Sequence, residues 1–127
     1  METPKIMRFT DLKTWQAGHV LVINIYKITK NFPREEMFGL ISQLRRAGVS
    51  FTSNIAEGFS RKSYKDKAHF YSISLGSLTE VENQIIIAKD IDYIDLETFN
   101  KLILQIYELH KMTNGLIKAS KNFHIVS

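Results

Sequence analysis

Histidine, carboxylate and serine side chains are the groups in this chain that could do chemistry, and their spacing limits what that chemistry could be. The histidines are His19, His69, His110 and His124. No two of them stand one helical turn apart, the spacing that lets a helix face grip a metal. Asp66 and His69 are three residues apart, but a carboxylate-bridged di-metal bundle needs two Glu-x-x-His motifs and two further carboxylates. No metal is expected. No cofactor is expected either, because the chain has no phosphate-cradling glycine loop, GxSxG elbow or HExxH pair. Cysteine is absent, which removes thiolate nucleophiles, zinc–thiolate sites and disulfides. Ser50, Ser53, Asn54 and Glu57 share one helical face, yet no base stands where it could activate a serine. They read as a polar packing seam, and no catalytic residue is assigned. His19 and His110 read as polar members of a core stripe or an interface.

The elements that carry these residues are helical. Apolar residues recur every three to four positions, which predicts an all-α chain with helices over about 10–30, 34–60, 63–90 and 95–118. In the first helix Leu12, Trp15, His19, Val22 and Tyr26 form a stripe, with Leu21, Ile25 and Ile28 in a second and Val20 and Ile23 on another side. A helix apolar nearly all round needs cover beyond its own bundle. Thr10 or Asp11 is expected to cap it. Pro33 suits the first turn of the second helix, and Glu35 and Glu36 suit its positive N-terminus. Phe38, Ile41, Leu44, Gly48, Phe51 and Ile55 are its expected core stripe. Gly58 can end that helix, and Ser63 can cap the third. Ala68, Tyr71, Leu75, Leu78, Ile85 and Ala88 are expected to point inward there. Asp92 or Asp95 can cap the fourth, whose stripe is Phe99, Ile103, Ile106, His110, Thr113 and Ile117. Its periodicity runs through Asn114-Gly115, and the tail after Lys118 is expected to fray. Short connections predict an antiparallel up-down-up-down four-helix bundle, one domain over 1–127.

Between Ala47 and Ser60 the second helix is unusually rich in small residues: Ala47, Gly48, Ser50, Thr52, Ser53, Ala56, Gly58 and Ser60. A wet helix face gains from Lys, Glu and Gln and loses from Gly and Ser. Small residues instead admit a second helix closely. With the apolar girth of the first helix, this predicts a homo-oligomer whose contact uses Leu21, Ile25, Ala47, Ser50, Ser53, Asn54 and Glu57. Arg45 or Arg46 is expected to pair with Glu80 or Glu82, within a subunit or across an interface, with phosphate binding open for Arg45.

The chain carries a net charge of +4, which permits nucleic-acid binding without requiring it. In an up-down bundle, one end gathers Lys5, Arg8, Lys13, Arg61, Lys62, Lys65, Lys67, Lys111, Lys118 and Lys121 against Glu2, Asp11, Glu57 and Asp66. Ordinary solubility charge accounts for this on a monomer. A cyclic oligomer would align the basic ends into a multivalent positive ring. Arg61, Lys62, Lys65, Lys67, Lys118 and Lys121 are the candidate RNA contacts. The N-terminal METPKIMRFTDLKTW lacks the apolar run of a signal peptide, and no apolar run approaches the roughly 20 residues of a membrane helix. No membrane partner and a cytoplasmic location are expected.

Three pieces, DLKTWQ, FPREEMFGLISQLRRAGVSFTSNIAEGFSR and LGSLTEVENQIIIAKD, are similar to the bacterial four-helix bundle protein family, also called the 23S rRNA intervening-sequence protein family. The resemblance runs from about Phe9 to Ile117. Gly48 and Phe51 stand where the family usually has alanine and isoleucine or a similar apolar residue. Members are encoded within large-subunit rRNA gene insertions and as stand-alone bacterial proteins, mostly of unassigned molecular function. The accessory variability determinant of diversity-generating retroelements is a related member that forms a pentameric barrel and works with a reverse transcriptase and RNA. The resemblance therefore implies a non-enzymatic homopentamer whose partner is RNA or an RNA-associated protein. An interaction scaffold with no nucleic-acid role is the alternative.

Overall fold

Places where a side chain is missing set how the helices meet. The computed structural model describes residues 5–126, with side chains up to Lys121. It contains α1 (Lys13–Thr29), α2 (Leu40–Ser60), α3 (Tyr64–Asp90) and α4 (Leu96–Val126), with no strand among the described residues. Each helix packs on its sequence neighbours and α1 also packs on α4, with no diagonal contact. That is an up-down-up-down bundle with cyclic helix order.

In α1 the core face is Thr14, Gly18, Leu21, Val22, Ile25 and Thr29. Of the stripe expected inside, Leu12 and Val22 are buried and Trp15 packs against the core, but His19 and Tyr26 are exposed, while Leu21 and Ile25, expected at a subunit contact, are 1% and 0% exposed. Gly18 is the reason. A Cβ there would stand 2.5 Å from the Phe51 ring, so this side of α1 approaches α2 most closely. Burying a ring the size of Phe51 contributes about 1.5–3 kcal/mol. Before α1, a 3-10 turn spans Phe9–Asp11. The Asp11 carboxylate accepts the backbone N–H groups of Met7 and Arg8, at 3.0 and 2.9 Å, rather than capping α1.

The second expected helix is interrupted. A 3-10 turn covers Arg34–Glu36, and α2 starts only after Gly39. The Glu36 carboxylate accepts the Leu40 N–H at 3.1 Å, meeting one unpaired donor of the helix start. A Cβ on Gly39 would lie 2.7 Å from that carboxylate oxygen. The other Glu36 oxygen accepts from the Tyr93 hydroxyl at 2.9 Å, tying this turn to the α3–α4 loop. Because α2 begins late, Phe38 sits outside it and is 95% exposed instead of in the core. Gly58, expected to end α2, lies within it; a Cβ there would stand 2.5 Å from the Tyr71 ring.

Ser63 caps α3, accepting the Asp66 N–H at 3.1 Å. Asp92, with φ of 65°, turns the chain out of α3, and Asp95 accepts the Thr98 N–H at 2.8 Å at the start of α4. As expected, α4 runs through Asn114-Gly115, but it continues to Val126, past the expected end at 118.

Gly58→Ala is expected to lose about 1–2 kcal/mol net, the overlap with the enclosed Tyr71 ring outweighing better helix propensity. Gly115→Ala, where a Cβ meets nothing within 4 Å, is expected to gain about 0.5–1 kcal/mol. Urea denaturation of both variants measures the pair. Asp95 is held below its usual pKa by the Thr98 side chain and backbone N–H. A depressed folded-state pKa adds stability present above the ordinary carboxylate value and lost as pH falls through the depressed one. Asp95→Asn keeps a cap without that titration, so its deficit against the unmodified chain is expected to shrink between about pH 5 and about pH 2. Urea midpoints across that range test this.

Candidate functional site

The small residues of α2 bind inward before they offer anything outward. Ser50 Oγ lies 2.8 Å from Ser77 Oγ on α3, and the Ser74 hydroxyl donates to the Phe51 carbonyl at 2.8 Å. The Asn54 amide donates to the Ser50 carbonyl and hydroxyl at 2.8 and 3.2 Å. Ala47 is 5% exposed. The seam expected to face a neighbour thus largely seals α2 to α3. Ser53 and Glu57 remain exposed. Leu21, Ile25 and Ala47 are used up by the chain's own core, because α1 rotates its Gly18 side toward α2.

The arginine expectation also changes. Arg45 Nε donates to the Thr29 hydroxyl at 2.9 Å, and its guanidinium lies 4.5 Å from the Tyr26 ring centre. It turns to α1 rather than α3. Arg46 pairs with neither Glu80 nor Glu82; Glu82 lies 3.9 Å from His110 Nε2. Arg46 and Glu80 instead line a cleft between α2 and α3 of about 450 Å³, with Ser50, Ser77 and Gln84. Gln84 is 8% exposed, and its Oε1 has no hydrogen-bond partner. An unmet buried acceptor costs about 1–3 kcal/mol. Sequence inspection did not single out Gln84, since an exposed helix surface is where glutamine is ordinarily found.

The other histidines have ordinary surroundings. His19 stacks on Trp15 at 4.8 Å, and His69 meets Phe70 edge-on at 5.3 Å. The side chain of His124 lies outside the described residues. Among the described residues, no three histidine or carboxylate side chains gather around a metal-sized space.

The candidate RNA contacts divide into two groups. Arg61 pairs with Glu57 at 3.6 Å and lies 4.6 Å over the Phe70 ring. Lys67 donates to the Gly58 and Phe59 carbonyls at 3.3 and 2.8 Å, satisfying the end of α2. Burial pulls its pKa below the usual lysine range. These two cations have structural work. Lys62, Lys65, Lys118 and Lys121 are exposed. The two helices that carry them meet at this end, where Phe59 and Lys67 line one cavity with Leu116 and Ser120 of α4.

Four exposed apolar side chains mark another surface, along α1 and α4: Val20, Ile23, Leu104 and Tyr107, at 52%, 41%, 68% and 51%. Val20 and Leu104 line a groove of about 500 Å³ with Ala17, Gln105, Glu108 and Leu109. The sequence had flagged Val20 and Ile23; Leu104 and Tyr107 fell off the expected α4 stripe and were missed. Lys67→Met is expected to lower stability by about 1 kcal/mol in urea melts, because two helix-end carbonyls lose their donor. Lys62→Met, at an exposed site, is expected to change it by less than about 0.5 kcal/mol.

Among the described residues, no helix is long and apolar enough to cross a membrane. No curated protein matches the chain. A crystal structure of a protein of unknown function from the S23 ribosomal protein family of Bacteroides thetaiotaomicron has the same fold. Its TM-score is 0.76 at 23% identity, covering 83% of this chain and 95% of that one. The family model for the 23S rRNA-intervening sequence protein matches residues 10–115. With the four-helix bundle in place across that range, the chain belongs to the 23S rRNA-intervening sequence protein family.

Proposed function

We propose that the protein is a non-enzymatic cytoplasmic homo-oligomer that binds RNA, or a nucleoprotein, through the end where α2 turns into α3. The observation that carries the RNA reading is the group Lys62, Lys65, Lys118 and Lys121. All four are exposed, and none is held in an ion pair among the described residues. Free lysines can replace the counterions of a phosphate backbone, which makes affinity salt-dependent and largely sequence-independent. The oligomer reading rests on the exposed apolar surface of α1 and α4, which differs from the contact residues expected from sequence. By family resemblance five subunits is the number favoured. In a ring with parallel subunits the basic ends share one side and act together.

Exposed Phe38, Met37, Ile91 and Leu96, at 95%, 46%, 46% and 60%, favour a second reading, a protein-interaction scaffold. Two of them flank the α1–α2 connection and two the α3–α4 connection, away from the lysines.

Lys62→Glu with Lys65→Glu is expected to weaken RNA binding at all sequences alike and to flatten the logarithmic salt dependence by roughly one unit per lost phosphate contact. Fluorescence anisotropy at several salt concentrations measures both. Unchanged affinity and slope would remove the RNA reading. Recovery of a protein partner after nuclease treatment, lost on Phe38→Ser, would establish the scaffold.

A further inference from the structure

The unsatisfied cleft of α2 and α3 and the apolar surface of α1 and α4 lie on opposite sides of the bundle, since helix order is cyclic. We propose that they are the two halves of one contact: the α4 edge of a second copy seats on the α2–α3 cleft. This inference rests on the homo-oligomer reading above and specifies how that oligomer is built.

Three observations carry it. First, the cleft is incomplete within one chain. Gln84 Oε1 is buried without a donor, and Arg46 and Glu80 face the same space without pairing. Second, exposed apolar residues flank the polar centre on α3. Ile73 and Ile87, at 39% and 42%, share a stripe with Ser77, Glu80 and Gln84. On α4 the exposed apolar Leu104 and Tyr107 stand to one side of the polar Glu108 and Lys111.

Third, in a ring whose axis runs along the bundle, as proposed above, the charges of the two surfaces match. The antiparallel register of α3 and α4 is set where His110 approaches Glu82. Counting from that level, Lys111 stands within a residue of Glu80, Glu108 level with Gln84, and Leu104 within a residue of Ile87. Rotation about an axis along the bundle leaves every height unchanged. Residues level within one chain are therefore also level between neighbours in a ring. Lys111 of the next copy then meets Glu80, and Glu108 comes within one turn of Arg46. Tyr107 comes level with Gln84 over the mouth of the cleft, while Leu104 covers Ile87.

Two different surfaces in contact make the association heterologous. Such a contact cannot close as a two-fold dimer; it closes as a ring or grows as a filament.

A charge exchange tests this. Glu80 and Lys111 are both exposed, so Glu80→Lys and Lys111→Glu leave the bundle core untouched, as circular dichroism should verify. Light scattering on a sizing column reads the subunit number. Each single substitution is expected to raise the concentration at which the oligomer dissociates by about tenfold or more. The double substitution is expected to restore it. Singles that dissociate like the unmodified oligomer, or a double that is no better than the singles, would overturn this contact and leave the oligomer reading standing. An unmodified chain that is monomeric at micromolar concentration would overturn both.

Discussion

The bundle depends on a helix being bare wherever a neighbour presses a large side chain against it. Phe51 projects from α2 onto Gly18 of α1, Ile25 of α1 reaches Gly48 of α2, and Tyr71 of α3 lies on Gly58 of α2. Each contact pairs a large side chain with a glycine on the facing helix. Ridges of one helix enter gaps in the other, and interaxial distance falls where the gap is deepest. The polar bonds then follow from proximity. Ser50 and Ser77 meet only because the backbones of α2 and α3 are close, and Ser74 reaches the Phe51 carbonyl for the same reason. Close approach also demands that every polar group at the crossing be satisfied, since water is excluded there. Gln84 is the exception that marks where this packing stops.

Helix number, order and type were legible from periodicity, because a stripe repeating at 3.6 residues has one reading in a chain with few glycines and prolines. Caps at Ser63 and Asp95 were legible because a short oxygen-bearing side chain at a helix start has one favourable use. Rotation about the helix axis was less so. In α1 two apolar stripes competed, and hydrophobicity alone ranked them wrongly. The deciding residue was Gly18, which counts for nothing on a hydropathy scale yet sets which side comes nearest to α2. Phe38 failed for a related reason. Its core position followed from a helix starting at about residue 34, whereas the Glu36 carboxylate and Gly39 start α2 six residues later, at Leu40.

Site residues were legible as types rather than as geometries. The lysines of the basic end were identifiable because exposed cations at helix ends need no packing to define them. The separation of Lys67 and Arg61 from the remaining cations was not, since it depends on the carbonyls of Gly58 and Phe59 and the carboxylate of Glu57 lying within reach. Arg45 shows the same limit. Register arithmetic placed it near Glu80, but rotation of α2 turned it to Thr29 and Tyr26 on the other side.

A small-residue surface has two possible meanings, close packing inside the chain or close packing against another chain, and in α2 the positions sort by residue. Gly48, Gly58, Ala47 and Ser50 are committed to α1 and α3, so the compositional bias of this helix is largely explained within one subunit. What stays unexplained inside the chain is narrower: an unmet amide at Gln84 and unpaired charges at Arg46 and Glu80. Both walls of that cleft come from two of the three segments that carry the family resemblance, FPREEMFGLISQLRRAGVSFTSNIAEGFSR, which holds α2, and LGSLTEVENQIIIAKD on α3. Core packing can account for the glycines and apolar residues in those segments. It cannot account for a buried acceptor without a donor, because replacing Gln84 by an apolar residue would serve packing better. That acceptor and the two unpaired charges beside it are the groups from which the proposed contact with a second copy starts.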